Sequence, residues 1–431
     1  MTQRKHFTTK DGYLHCEDVK LSDLQKEIGS TLTHSSPFYL FSESQIKDNV
    51  QAYIGPLERV EIPYMLGFAI KSNYNPNILK VLQKEGCTAV TVSGNEIRMA
   101  LSIGIDGHKI IYNGNGKLPA DVQLAIQNDC LINVDSEFDL QLIIDTCRKV
   151  SQKARVLLRI NPNIETDIHK YLATGKGNSK FGIQEEQLWR IISDIQRNHG
   201  NYIKVVGLHC HLGSTIDNVH VFRKCFDVML DLTEKVNSIN GMDAMSYLNL
   251  GGGLGINYDN NTSMPGAQDL VDAIAEKWPS KKMALILEPG RSLIGNTAVL
   301  VTKVLGTKSN GDKNFVILDG SMTEVIRPCL YDAYHHIALT EPSQAAEAEL
   351  KTYDVVGPVC ECGDYLGKQR HLYEPHIGCG AAVFDVGAYC ASMGSNYNLR
   401  LRPAEVLVSQ KSWRIIRKPD TLNDILKPFQ V

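Results

Sequence analysis

From residue 64 to residue 287 the chain repeats one pattern eight times: a short β-rich apolar run, a polar turn, then an amphipathic stretch. The runs are 64–70, 89–92, 109–112, 131–134, 154–160, 205–209, 247–250 and 284–287. Between them apolar residues recur at helical spacing, as with Ile78, Val81 and Leu82, which predicts helices over 77–84, 96–103, 121–126 and 138–150. Asn95 and Pro119 mark two starts, and Gly86 and Gly104 close two helices. Strands alternating with helices pair in parallel through right-handed crossovers. Eight such units are the size of an α/β (β/α)8 TIM-type barrel, and a doubly wound open sheet is the structural alternative.

After Gly290 the pattern changes. Runs 298–304, 314–318, 353–356 and 405–408 are β-like and long helical stretches become scarce. The expectation is three parts: an N-terminal segment over 1–40 that adds a strand to a β-domain, a barrel over 41–295, and a mostly β C-terminal domain over 296–431.

Composition narrows the function classes. A formal net charge of -3 gives no electrostatic reason to expect nucleic acid or an acidic membrane as partner. The longest apolar runs, such as 284–287, are far too short to span a bilayer. Residues 1–10 lack the apolar core of a secretion signal. Eleven cysteines form no regular framework, and the Cys360–Cys362 pair has no second pair at zinc spacing. A cytosolic protein with reduced thiols is expected, or a plastid one if the host is a plant or alga.

Barrel chemistry collects at the C-terminal ends of the strands. The run ends present Lys71, Ser93, Asn113, Asp135, Arg159 with Asn161, His209 to Ser214, Gly251 to Gly253, and Glu288 with Gly290 and Arg291. Lys71 leaves an apolar run, so it is expected to be poorly solvated, and a neutral amine is what Schiff-base chemistry requires; alone, it reads more often as a snorkelling surface lysine. Three glycines after the seventh run let backbone N–H groups approach an anion, or simply form a tight turn. Glu288 reads either as the partner of a protonated ring nitrogen or as half of a structural pair with Arg291. His211 reads as a flat ring for stacking or as a hydrogen-bonded structural residue, and His209 and His211 together as a metal pair. A lysine, an anion cradle, a carboxylate and a ring at one barrel mouth suit pyridoxal 5'-phosphate, and no metal is expected.

The residues also carry a family likeness. Phe68-Ala69-Ile70-Lys71-Ser72-Asn73, His211-Leu212-Gly213-Ser214, Gly251-Gly252-Gly253-Leu254-Gly255 and Glu288-Pro289-Gly290-Arg291 resemble, in order, the signatures of the alanine racemase-like, fold-type III pyridoxal-phosphate enzymes. Ile326-Arg327-Pro328-Cys329-Leu330-Tyr331, Cys360-Glu361-Cys362-Gly363-Asp364 and Asp385-Val386-Gly387-Ala388-Tyr389 continue the resemblance over roughly residues 35–410.

The resemblance implies that Lys71 bonds to the cofactor aldehyde, His211 stacks on its ring and Glu288 faces the ring nitrogen. Ser214, Gly253, the Gly290–Arg291 backbone and Tyr389 would hold the phosphate. Cys360 would return a proton to the carbon that loses CO₂, and in the family it comes from a second subunit, which implies a homodimer with shared active sites. Arg291, Arg327 and Tyr331, with Tyr389 nearby, look like the group that holds a second carboxylate, for which arginine offers a bidentate fork. Glu361 would hold the distal ammonium. The implied reaction is therefore decarboxylation of meso-2,6-diaminopimelate to L-lysine.

The rivals are a decarboxylase of ornithine, arginine or carboxynorspermidine, a racemase, and a non-catalytic regulatory homologue. Eukaryotic ornithine decarboxylases have Asp after the cysteine and no Arg-Pro-x-Leu-Tyr segment. Departures from the family pattern are Phe68, Ser72, Asn95, Leu212, Thr215 and Cys362, where Tyr, Ala, Gly, Ile, Gln and Ser are common. None removes a catalytic group.

Overall fold

The computed structural model describes residues 4–32, 36–164, 179–259, 264–279, 281–342 and 350–429. The backbone divides into two compact units. One comprises the described residues of 49–256 and 264–292, the other those of 4–48, 257–259 and 293–429.

The first unit is a closed barrel of eight parallel strands: Tyr64–Ala69, Thr88–Thr91, Ile110–Tyr112, Leu131–Val134, Ala154–Arg159, Ile203–His209, Tyr247–Asn249 and Ala284–Leu287. Closure comes from the pairing of the last strand with the first, Leu285 opposite Tyr64 and Leu287 opposite Leu66. Its interior is filled by one side chain from each strand. Val90, Ile111, Leu131, Leu157, Val206 and Ile286 form a buried cluster, with Met65 and Tyr247 packed against it. A barrel lined this way is a solid core and not a pore, so chemistry is confined to its rim.

The eight runs and the strands correspond, with informative differences at the ends. The first strand stops at Ala69 and Ile70–Ser72 form a 3₁₀ turn. The turn is fixed by Ser72 Oγ donating to the Ala69 carbonyl at 2.7 Å and Asn73 N donating to Ile70 O at 2.9 Å. The second helix is Gly94–Ser102, and its cap is Ser93, not Asn95. Ser93 Oγ accepts from Glu96 N at 3.3 Å while Glu96 Oε2 accepts from Val92 N at 2.7 Å. This reciprocal cap satisfies two otherwise orphaned donors, which Asn95 inside the first turn cannot do. Gly86 and Gly104 sit just past their helices at φ +96° and +90°, as expected of closing glycines.

The second unit is built on a nine-stranded sheet. Its main path runs Tyr365–Tyr373, Leu350–Val356, Lys313–Leu318, Ala298–Asn310, Phe38–Ser42, Ala404–Ser409 and Ser412–Arg417. Gly380–Phe384 also pairs with Ala298–Asn310, and Ile337–Leu339 pairs with Gly380–Phe384. The N-terminal strand Phe38–Ser42 is central, antiparallel to Ala298–Asn310 and parallel to Ala404–Ser409. Ahead of it lie a small antiparallel sheet, Phe7–Lys10, Tyr13–Cys16 and Val19–Lys20, and the helix Leu21–Thr31. Leu21, Leu24 and Ile28 of that helix join Phe38, Leu40, Val299, Val301 and Val406 in one buried cluster. Among the described residues no helix is long and apolar enough to cross a membrane.

Candidate active site

The barrel rim gathers most of the residues read from the strand ends. Glu288, at the end of the eighth strand, is 6% exposed. Its Oε2 accepts from Asn113 Nδ2 at 2.9 Å and its Oε1 from Asn249 Nδ2 at 2.8 Å. His209 Nε2 lies 3.4 Å from Oε2. Burial by itself would raise the carboxyl pKa, but His209 and the two amides outweigh it and bring it down to about 2. Glu288 is thus a fixed anion at the rim. No Glu288–Arg291 pair forms: Arg291 donates instead to Ser214 Oγ, from Nε at 3.2 Å and Nη2 at 3.0 Å.

His211 is held by its neighbour strand. Gly252 N donates to His211 Nδ1 at 3.1 Å, so that nitrogen is an acceptor and the ring is neutral with its proton on Nε2. Burial, then the charges of Lys71 and Arg159, hold its pKa well below the usual histidine value. A neutral, oriented imidazole beside the amine of Lys71 is suited to stacking on a flat ring. His209 and His211 do not act as a pair, since His209 faces Glu288 and Asn133. Among the described residues no group of three His, Cys, Asp or Glu could hold a metal.

The glycine run is required by backbone approach. A Cβ on Gly252 would lie 2.2 Å from the Glu288 carbonyl oxygen, and one on Gly253, at φ +116°, 2.4 Å from Gly213 O. Two of its three N–H groups are used within the protein, Gly251 on Asn249 Oδ1 and Gly252 on His211. The expectation of three consecutive N–H groups facing an anion is corrected accordingly, and Gly253 is the member left for that task. Gly290 packs against Ala69 and Ser72, and Pro289 O accepts from Ala69 N at 3.1 Å. The eighth strand end thereby sits beside the Lys71 turn.

Lys71 itself is exposed on the 3₁₀ turn, so the expected poor solvation is not met in this chain. The strand ends here, and the turn lifts the side chain off the apolar run. Glu96, which no motif singles out, faces the positive charge of Lys71. Arg159 is buried, donates to Asp135 Oδ1 at 3.2 Å, and lies over the Phe181 ring at 4.5 Å. Lys117, also unforeseen, is buried with all three N–H donors used, on Gly114 O, Asn133 O and Asp139 Oδ2 at 2.7, 2.7 and 2.6 Å.

The remaining predicted residues belong to the second unit. Cys360 and Glu361 are exposed on a turn. That turn is held by Asp364, which accepts from Val359 N and Met322 N, each at 2.7 Å, and by Cys360 N donating to Asn398 Oδ1 at 2.8 Å. Arg327 opens the helix Arg327–Tyr331 and is 3% exposed; Tyr331 ends it half-buried. Tyr389 is half-buried at φ +57°, in the turn after Gly380–Phe384.

A rim with a permanently ionised carboxylate, a neutral oriented imidazole, a backbone cradle that admits no Cβ, and an amine on a turn fits pyridoxal phosphate on the chemistry of its donors. Together with the closed parallel barrel it defines a pyridoxal-phosphate-dependent decarboxylase. Residues 43–295 match the family model described as "Pyridoxal-dependent decarboxylase, pyridoxal binding domain". The chain is 45% identical over 421 residues to the "Probable diaminopimelate decarboxylase, chloroplastic" of Oryza sativa subsp. japonica, covering 97% of this chain and 84% of the rice protein. It is 36% identical to the diaminopimelate decarboxylase of Aquifex aeolicus, covering 97% and 96%. The solved diaminopimelate decarboxylase of Methanocaldococcus jannaschii in co-complex with L-lysine superimposes with a TM-score of 0.91 at 33% identity, covering 99% and 98%. The chain belongs to the diaminopimelate decarboxylase family.

Proposed function

We propose that this chain converts meso-2,6-diaminopimelate to L-lysine and CO₂, the last step of lysine biosynthesis. One observation in the chain carries the substrate choice: Arg327 is buried and oriented before any ligand arrives. A buried guanidinium with an unsatisfied N–H is costly, and a second substrate carboxylate would satisfy the free Nε. Ornithine, arginine or carboxynorspermidine would bring no carboxylate suited to that position.

When bound, pyridoxal phosphate supplies the electron sink that accepts the pair released with CO₂. Lys71 would hold the cofactor through Nζ at its aldehyde. Glu288 would keep a proton on the ring nitrogen, His211 would stack on the ring, and Ser214, Gly253, the Gly290–Arg291 backbone and Tyr389 would hold the phosphate. Arg291, Arg327, Tyr331 and Tyr389 orient the distal end of the substrate, with Glu361 on its ammonium. Cys360 Sγ delivers the proton to the carbon that has lost CO₂.

We further read the enzyme as a homodimer in which Cys360 and Glu361 complete the partner subunit's site; the exposure of both residues supports this. The compartment we propose is the cytosol, or the plastid in a host that has one. That none of the eleven cysteines is disulfide-bonded agrees with either.

The test is CO₂ release and product identity from purified holoenzyme given meso-diaminopimelate, L-ornithine, L-lysine and L-arginine separately. Lysine formed from diaminopimelate alone is expected. Turnover of ornithine or arginine in its place overturns the substrate assignment while keeping the cofactor.

A further inference from the structure

Arg327 does not stand alone in its cavity. Its Nη1 donates to His335 Nε2 at 2.9 Å, and His335 Nδ1 lies 2.7 Å from the carbonyl oxygen of Phe384. A carbonyl only accepts, so Nδ1 carries the ring proton and Nε2 presents a lone pair. The neutral tautomer is the one form of the ring that serves both partners; a protonated ring would turn a donor toward the guanidinium. His335 is fully buried, and its edge meets the Tyr258 ring with centroids 5.4 Å apart at 71°.

Tyr258 is the second wall. Its ring centroid is 4.7 Å from Arg327 Cζ, within cation–π range. Its carbonyl accepts from Arg4 Nη2 at 3.0 Å, and Arg4 forks onto Asp385, Nε to Oδ1 at 3.1 Å and Nη2 to Oδ2 at 2.5 Å. Phe384 and Asp385 are neighbours at one strand end. The closed circuit therefore runs Phe384 to His335, Arg327, Tyr258, Arg4 and back to Asp385.

The circuit occupies one corner of the guanidinium and leaves another. Arg327 Nε is buried without a hydrogen-bond partner among the described residues. A buried unsatisfied donor on a charged group is expensive, and a carboxylate along the Nε–Nη2 edge would relieve that. Arginine also carries substantial rotamer entropy, which is lost before binding when the side chain is already fixed.

We infer that His335, with Tyr258 seated by Arg4, is a positioning residue that presents the Nε edge of Arg327 to the distal carboxylate and so sets the selection for substrates that carry one. The inference rests on the proposed role of Arg327. It assigns the specificity of the site to residues that touch no substrate.

The test uses holoenzyme variants His335→Phe, His335→Gln, Tyr258→Leu and Arg327→Ala. KM and kcat are measured with meso-diaminopimelate, and inhibition constants with L-lysine, which keeps a carboxylate, and 1,5-diaminopentane, which has none. His335→Phe and Tyr258→Leu are expected to raise KM and the lysine constant about tenfold, the scale of a hydrogen bond to a charged group, with kcat and the diaminopentane constant nearly unchanged. His335→Gln, whose amide oxygen can accept the same N–H, is expected to stay within about threefold of the parent. An unchanged KM in the foldable variants, or lysine and diaminopentane constants rising together, overturns the inference. If Arg327→Ala leaves KM unchanged, the carboxylate role of Arg327 fails first; if Arg327→Ala raises it and His335→Phe and Tyr258→Leu do not, the positioning role alone fails. Should His335→Phe not fold, Tyr258→Leu carries the same readouts.

Discussion

Glu288 Oε2 faces His209 Nε2 across 3.4 Å, both side chains almost fully buried. Asn133 Nδ2 contacts His209 Nδ1 and also donates to Asn113 Oδ1 at 2.9 Å, so the proton of the imidazole is turned toward Glu288. Burial, its first determinant, lowers the pKa of His209, which favours the neutral ring. The carboxylate thus receives N–H groups from two asparagines, with the His209 ring 3.4 Å away. His209 and the two amides together keep the anion ionised against burial and leave its field available to a cationic ring nitrogen.

Glu288→Gln should therefore retain the fold and lower kcat by on the order of 10²–10³, the usual consequence of removing a preorganised electrostatic partner. Because the pKa of Glu288 is about 2, its charge is constant above pH 5. Because His209 contributes most to that lowering, any acid limb set by Glu288 should move to higher pH in the kcat–pH profile of His209→Gln; an unmoved limb would show that His209 does not hold the carboxylate down.

Acid should destabilise the protein through histidines held neutral. His336 is lowered to about 4 by burial first and then by Arg4 and Arg370. Between its unfolded value near 6.5 and about 4 the unfolded chain binds the extra proton, so stability falls as pH falls through that window. The contribution is at most about 3 kcal/mol. Thermal melts of His336→Gln against pH should show a shallower decline between pH 6.5 and 4 than the parent; parallel curves would refute the assignment.

Two glycine substitutions separate space from conformation. Gly252→Ala drives a methyl onto the Glu288 carbonyl, whereas the added Cβ at Gly306 meets nothing within 4 Å. Gly252→Ala should lower cofactor retention after gel filtration and cost about 1–3 kcal/mol, the scale of overpacking. Gly306→Ala should be neutral within about 1 kcal/mol. Equal behaviour of the two in denaturant melts would show that the backbone approach at Gly252 is not needed.

Shared sites give a complementation result. Lys71→Ala and Cys360→Ala should each be nearly inactive, and subunit exchange in an equal mixture should restore about a quarter of parental activity, because each mixed dimer holds one intact site. No recovery would mean that Lys71 and Cys360 act within one chain.

The barrel was legible because its strands are short apolar runs and its helices are periodic. The ends were less so. Ile70 is as apolar as the strand before it, yet a hydroxyl two residues on and the Ala69 carbonyl close a turn there. Ser93 outcompeted Asn95 as a cap because only its position allows the exchange with Glu96. Glu288, His211 and the glycines could be found as strand ends, since the barrel puts all such ends on one rim. The Arg327 seat could not. Arg4 and Asp385 are 381 positions apart, and Arg4 and Tyr258 254 apart, so no spacing announces them. His335 beside His336 carried no signal in the sequence that would single out the buried one.

The strand Phe38–Ser42 sits between Ala298–Asn310 and Ala404–Ser409. A growing chain makes that strand early and its two flanking partners only after the last barrel strand. All eight barrel strands emerge in between, so the barrel can close on the ribosome while the N-terminal strand still has both edges open. Of the two units, the one that carries Cys360 and Arg327 is completed last, and a chain stalled before residue 404 would display an uncovered β-edge to its surroundings.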